Sequence, residues 1–331
     1  MKSGELMKKI LTVSIAAYNV EDYIEECLMP FTQNGVSERC EVLIIDDGGT
    51  DSTREIAERF ERELPDTFKV IHKENGGWGS TVNTGIRLAH GKYFKQLDGD
   101  DFFNPNSLKE FLDALEKLNS DVVLSPFITF ISDTKEVVKS NDPITQFCVV
   151  PYHEYFLSEL KRENIAMHQC TFRTSMLQAN DISLLEHTFY TDVELVIKAL
   201  CNSNTVSFVP MTVYCYRTAR DGQSMSAEGM RKHYKEHEKV LFGIAEYLRK
   251  SKTSPGYTLS EKRLNTMVRW QYLFYTNLIP NYKHLKEIRA FDRRLKKEYP
   301  EFYYQSSKKV KLMRATGFLT YYPMCRIEAK R

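Results

Sequence analysis

The sequence predicts an α/β fold, a doubly wound and mostly parallel sheet followed by a helical appendage. Three observations carry that prediction. Short apolar runs alternate with amphipathic segments, unbroken, from Ile10 to about residue 125. Three of those runs end in polar turns, at Tyr18, at Asp46-Asp47 and at Asp98-Gly99-Asp100, where open parallel sheets hold their ligands. Beyond Ala227 the pattern becomes helical, charged and aromatic.

In order, Ile10–Ala16 is a β-prone run that stops at Ala17-Tyr18-Asn19, and Glu21–Thr32 has helical spacing with Ile24, Cys27 and Leu28 apolar. Glu41–Ile45 is a second strand. The turn Asp46-Asp47-Gly48-Gly49-Thr50-Asp51 follows, and Ser52 with Glu55 reads as a capping box for a helix carrying Ile56 and Phe60. Lys69–His72 supplies a third strand. Gly76-Gly77-Trp78-Gly79 reads as a flexible loop before a helix, without the spacing of a dinucleotide fingerprint or the Lys-Ser/Thr pair of a Walker motif. Tyr93–Leu97 is a buried strand. Pro105 and a second capping box, Ser107 with Glu110, open a helix with Leu108, Phe111, Leu112, Leu115 and Leu118 on one face. Val122–Ser125 returns as a strand, and the pattern is mixed to about residue 165. Met167–Phe172 reads as a strand and Ser175–Ala179 as a short helix. Asp192 opens a helix through Asn202, and Val206–Val209 and Val213–Tyr216 are further strands.

The acidic turn carries the chemistry. Asp98, Asp100 and Asp101 crowd around Gly99, and carboxylates so close repel one another unless a cation joins them. Oxygen ligands suit Mg²⁺ or Mn²⁺, which keep positions open for the phosphates of a nucleotide. The plainer reading is a polar turn capping a strand. Likewise, Tyr18 is a strand-end aromatic or a platform for a base, and Asp46 and Asp47 are at minimum turn formers.

Composition bounds the rest. With 331 residues, 42% hydrophobic and 27% charged, the chain supports one large core and a smaller unit. Seven cysteines without a Cys-x-x-Cys pair encode neither a zinc site nor a disulfide framework, and read as buried thiols of a cytoplasmic protein. No apolar stretch reaches the roughly 20 residues of a membrane span, and Met1–Lys9 is not followed by a signal-like core.

These residues resemble a known family. Val13–Asn19, Glu41–Ser52, Asn75–Gly91 and Leu97–Asp101 look like the successive signatures of family 2 glycosyltransferases of the GT-A fold, over roughly residues 8–225. Gly76-Gly77-Trp78-Gly79-Ser80 and Gly222-Gln223-Ser224 are similar to stretches of a bacterial subgroup. The resemblance implies a catalytic domain over 8–226, with a nucleotide-sugar half at 8–125 and an acceptor half at 126–226, and a helical, basic, aromatic region at 227–331. It implies that Tyr18 stacks on the base, that Asp47 accepts from uracil, and that Asp98 holds ribose or a metal-bound water. Ala16, Asn19, Asn75, Gly77, Asn83 and Gly99 would complete the donor pocket, and Asp100 would bind the metal. Asp192 would be the general base of an inverting transfer, although Thr191 stands where the family has Glu, and Val82 where Arg is common. From the residues alone, Asp192 reads equally as a helix N-cap.

Arg217, Arg220, Gln223, Ser224 and His168 are candidate phosphate or acceptor contacts. His233 and His237 share one helical face and read as wet-surface residues rather than metal ligands. Arg269-Trp270 resembles a processive-synthase signature, but Thr266 departs from it, so extension by many sugars is not expected. Asn281–Arg331 holds 14 Lys and Arg against 5 Asp and Glu and is interleaved with nine aromatics. This segment reads either as a packing appendage or as a peripheral contact with the anionic inner face of the cell membrane, ahead of nucleic acid. The expected partners are a nucleotide-sugar donor and a saccharide or lipid-linked acceptor. A sugar nucleotidyltransferase and a non-catalytic glycan-binding protein are the competing readings.

Overall fold

Parallel strands form where the chain is most apolar and β-branched. The computed structural model describes residues 9–147, 149–160, 165–218 and 226–328. Its strands β1 (Leu11–Ala17), β2 (Cys40–Asp46), β3 (Phe68–His72) and β4 (Tyr93–Asp98) run parallel in the order β3-β2-β1-β4. Register sets Ala16 opposite both Ile45 and Asp98, so β1, β2 and β4 end level. That brings the three polar turns to one edge of the sheet.

Helices α1 (Ile24–Leu28), α2 (Thr53–Glu63), α3 (Trp78–Leu88) and α4 (Pro105–Lys117) connect the strands. One face of the sheet packs Val13, Ile15 and Val42 with Ile24, Ala57, Phe60, Leu108 and Phe111. Phe94 on the opposite face joins Val82 and Ile86 of α3, which is the doubly wound arrangement. Both expected capping boxes are absent. Ser52 makes no side-chain cap, and Asp51 instead accepts from the Thr53 and Glu21 N–H groups at 3.0 Å each. Asn104 caps α4 by accepting from Asn106 N at 3.1 Å, with Pro105 at the first helical position, so Ser107 falls inside the helix. Asp and Asn are at least as strong caps as Ser, and proline fixes a helix start. The helix expected over Glu21–Thr32 is cut to α1 and a 3₁₀ turn, Met29–Thr32, because Pro30 has no N–H to continue it.

The sheet continues through β6 (Val122–Leu124), β9 (Glu154–Phe156), β10 (Cys170–Arg173) and β11 (Thr205–Phe208) in the order β4-β10-β6-β11-β9, with β10 antiparallel to both neighbours. The strand expected from Met167 begins only at Cys170, after a 3₁₀ turn over Met167–Gln169. A second sheet, absent from the sequence reading, pairs β5 (Phe102–Phe103), β12 (Tyr214–Thr218), β7 (Phe127–Ile131) and β8 (Val137–Asn141). Helices α5 (Pro143–Phe147), α6 (Thr174–Ala179) and α7 (Thr191–Cys201) complete this part, and six cysteines among the described residues are buried thiols.

The chain divides into two compact units, Met1–Arg220 with Thr253–Leu259, and Asp221–Lys252 with Ser260–Arg331. The second is helical, with α8 (Ala227–Lys250), most of α9 (Tyr257–Asn277), α10 (Tyr282–Glu298), α11 (Pro300–Tyr304), α12 (Lys308–Ala315) and α13 (Tyr321–Glu328). Its core holds Leu241, Ile244, Phe274, Ile288, Phe291 and Leu295. His233 and His237 are buried there rather than wet, His237 stacking on Phe274 and sharing its Nδ1 with Gln271 Oε1 at 2.6 Å. No helix among the described residues is long and apolar enough to cross a membrane.

Candidate active site

The acidic turn closes at the end of β4. Gly99 N–H donates to Ala16 O and Asp101 N–H to Asp98 O, both at 3.0 Å. A Cβ at position 99 would meet Ala16 O at 2.9 Å and Val20 Cγ2 at 3.0 Å, so the turn closes only on glycine. Tyr214 OH donates to Asp101 Oδ2 at 2.6 Å and Arg217 N–H to Asp101 Oδ1 at 2.7 Å. Burial first, then the charges of Asp100 and Asp98, push the Asp101 carboxyl well above its usual range. Negative charge is therefore concentrated to the point of self-repulsion, and this oxygen donor set fits a hard divalent cation.

Arg217 is not a phosphate-facing cation. It is buried on β12, where Nε donates to the Asp100 carbonyl at 2.6 Å and Nη2 to Glu26 Oε2 at 2.5 Å, with the rings of Tyr23 and Phe130 against its guanidinium. It is a strut behind the turn. Arg220, Gln223 and Ser224 lie outside the described residues.

Asp47 is buried and anchors the glycine loop. Its carboxylate accepts from Gly76 N–H at 2.9 Å, Gly77 N–H at 2.8 Å and Lys73 Nζ at 2.8 Å, while Asn75 Nδ2 donates to the Asp47 carbonyl at 3.0 Å. Gly77 takes φ +79°, a left-handed conformation open to glycine, and α3 begins at the next residue. The stretch is thus a pinned loop rather than a flexible one. Neighbouring Asp46 is turned inward to His72 Nδ1 at 2.7 Å and Gly49 N–H at 3.0 Å. Asn19 accepts from Thr50 N–H at 2.8 Å and so ties the first two turns together, leaving Tyr18 exposed above them.

Asn83 is engaged by the chain that precedes α7. Its amide clamps the backbone of Leu184 in both directions, at 2.8 and 3.0 Å, and donates to Glu186 Oε1 at 3.1 Å. This fixes the loop leading to α7. Asp192 lies half-buried in the first turn of that helix but is not its N-cap, which is Tyr190 at φ +68°. Burial, then the charges of Asp101, Asp98, Asp100 and Asp192, raise the Tyr216 phenol, so all four carboxylates act on one ring. Among the described residues, the metal-ligating atoms that converge are those of Asp98, Asp101 and His168, all within 4.8 Å of one another. Asp100 is not in that group.

Sequence reasoning gave no role to Trp78, whose Nε1 donates to Asp98 Oδ1 at 2.6 Å, or to Lys73 on Asp47. Trp78 lies within the glycine stretch and Lys73 directly follows the third strand, and those positions were the available signal.

The sequence signature described as Glycosyl transferase family 2 matches residues 12–189, more than half of the chain. The chain belongs to glycosyl transferase family 2. This family 2 chain is 29% identical to EpsH of Bacillus subtilis, named as a glycosyltransferase, over 62% of its own length and 60% of that protein. It is 28% identical to Staphylococcus aureus TarS, a poly(ribitol-phosphate) β-N-acetylglucosaminyltransferase, over 65% of its own length but only 37% of that of TarS. The chain thus spans less than two thirds of these curated relatives. The solved structure of TarS 1–349 in complex with UDP-GlcNAc matches with a TM-score of 0.69 at 19% identity, covering 97% of this chain and 91% of that one. Mannosyltransferase PcManGT from Pyrobaculum calidifontis, solved with GDP-Man and Mn²⁺, matches at 0.57 and 16% identity, covering 96% and 84%. The fold of this family 2 chain is GT-A.

Proposed function

We propose that the enzyme moves a sugar from a nucleotide-diphosphate sugar, UDP-linked, to a saccharide or lipid-linked saccharide acceptor, inverting the anomeric carbon. The observation that carries this reading is the level edge of β1, β2 and β4, where Tyr18, the Asp47-pinned glycine loop and the Asp98–Asp101 turn meet. The UDP-GlcNAc complex of TarS, on the same fold, supports a UDP-linked donor.

Tyr18 offers an exposed ring for the base, and the pinned loop fixes the floor beside it. Asp98, Asp100 and Asp101 are the residues that would hold Mg²⁺ or Mn²⁺. When bound, such a cation supplies Lewis-acid stabilisation of charge on the departing diphosphate. Asp192 takes the proton of the acceptor hydroxyl as its oxygen bonds to the anomeric carbon and the bond to the diphosphate oxygen breaks on the opposite face. The basic helices from Asn281 onward would bring the enzyme to an anionic membrane surface bearing a lipid-linked acceptor.

A thermal-shift panel of UDP-, GDP-, dTDP- and CMP-sugars, each with and without Mn²⁺, tests the donor side, since selective binding raises the melting temperature. UDP-sugars with Mn²⁺ should give the largest rise. A larger rise with another nucleotide, or none with any, would overturn the assignment.

A further inference from the structure

The imidazole of His168 is held unusually firmly for a residue at the mouth of a site. Its ring stacks on Phe127 with centroids 5.0 Å apart, meets Tyr214 edge-on at 4.7 Å and lies against Tyr216 at 4.5 Å. The backbone beneath is fixed as well. Lys95, fully buried on β4, donates Nζ to the His168 carbonyl at 2.9 Å and to the Cys170 carbonyl at 3.0 Å. β10 then carries this segment antiparallel to β4, whose last residue is Asp98. The cost of ordering the ring is therefore met in folding, and a ligand atom there is preorganised.

The two carboxylates that share the spot are oriented by their own partners. Trp78 Nε1 holds Asp98 Oδ1, and Tyr214 OH with Arg217 N–H holds Asp101. Outer hydrogen bonds that aim carboxylate ligands, around an imidazole that completes the set, are what a transition-metal site requires. The 4.8 Å span of the three ligand atoms is one that small side-chain rotations close onto a shared ion.

We infer that His168 is a direct ligand of the divalent cation, together with Asp98 and Asp101, and that it makes the site prefer Mn²⁺ to Mg²⁺. This rests on the reading that a cation occupies the acidic turn. Mg²⁺ favours an all-oxygen octahedron and sheds water reluctantly, whereas Mn²⁺ accepts an imidazole nitrogen more readily. A site of Asp carboxylates alone would discriminate less.

The test is pulsed electron paramagnetic resonance of Mn²⁺ bound to the full chain, with and without UDP, alongside Mn²⁺ and Mg²⁺ titrations of wild type, His168→Ala and His168→Gln. The wild-type spectrum should show coupling to an imidazole nitrogen that both variants lose. Their Kd for Mn²⁺ should rise about tenfold or more, at least the loss expected from disturbing an outer partner, while the Kd for Mg²⁺ moves less. Should a variant fail to fold by circular dichroism, the wild-type spectrum decides alone. Mn²⁺ binding without nitrogen coupling would overturn the role of His168 and leave the cation reading standing. No Mn²⁺ binding, even with UDP, would overturn both.

Discussion

The indole Nε1 of Trp78 donates to Asp98 Oδ1 at 2.6 Å, joining the first residue of α3 to the last residue of β4. The glycine loop and the acidic turn are thereby one rigid piece. The loop is pinned to Asp47 at one end and to Asp98 at the other, so a donor that touches either part reads the position of both.

Trp78→Phe keeps an aromatic ring against the core and removes the Nε1–H donor. A hydrogen bond to a charged group is worth about 1.5–3 kcal/mol, a factor of roughly 10 to 150. We expect donor affinity to weaken within that range with the melting temperature little changed, read by calorimetric titration of UDP in the presence of Mn²⁺. An unchanged Kd would show that the orientation of Asp98 does not depend on Trp78.

What the sequence disclosed was what is local. The four parallel strands, α3, α4 and the acidic turn follow from residues within one element, so periodicity and turn chemistry find them. The partners of Arg217 and Asn83 stayed hidden for the opposite reason. Arg217 meets Asp101 at a sequence separation of 116 and Asn83 meets Leu184 at 101, and no local pattern announces such partners. The second sheet was hidden because β5 has only two residues and the β8 residues Val137–Ser140 are all exposed, which leaves no alternation to detect. The helix starts failed more narrowly: Asp51 and Asn104, a residue or a few upstream, took the capping that Ser52 and Ser107 were assigned.

Asp192→Asn should abolish transfer and spare the donor. Tyr190, not Asp192, occupies the N-cap, so the substitution removes no cap from α7, and the first-turn charge it removes is worth about 0.3–1 kcal/mol. Loss of a general base lowers turnover by roughly 100- to 10,000-fold. The checks are a transfer assay on the true acceptor and UDP titration, expected to give low kcat with unchanged Kd. Near-normal transfer would move the base elsewhere. Glu186 is then the better candidate, because Glu194 is buried and engaged by Leu185 N–H and Lys198.

Burial pulls the His237 imidazole down from 6.5 to about 4. The folded value lies below the unfolded one, so the unfolded chain takes up the proton first as pH falls. Stability tied to this residue is complete above about pH 6.5, declines between 6.5 and 4, and is flat below. The full span is worth about 3 kcal/mol. Urea unfolding of wild type and His237→Gln across that window should show the steeper decline in wild type. Parallel declines would mean that His237 is charged in the fold.

Asn281–Arg331 has a net charge of +9, and its surface decides what that charge meets. Phe291, Tyr299, Phe302, Phe318 and Tyr321 are buried, so most of the aromatic content packs the helical unit and none of these five rings is offered to a partner. Facing outward are Tyr282, Tyr304 and Tyr322 with Leu312, Leu319 and Ile327, and around them Lys283, Lys286, Lys296, Lys297, Lys308, Lys309 and Lys311 are exposed. Outward rings and aliphatic side chains amid lysines suit the headgroup layer of an anionic bilayer. Each lysine close to such a surface contributes about 1 kcal/mol, and salt weakens it as the screening length shortens to about 8 Å at physiological strength. The full chain should therefore co-sediment with phosphatidylglycerol vesicles at low salt and release as salt rises. Replacing Lys283, Lys308 and Lys311 together by Glu reverses charge only at exposed positions of α10 and α12, so the melting temperature should hold while sedimentation falls. Equal sedimentation with neutral phosphatidylcholine vesicles, or no loss in the triple variant, would leave these helices as packing elements alone.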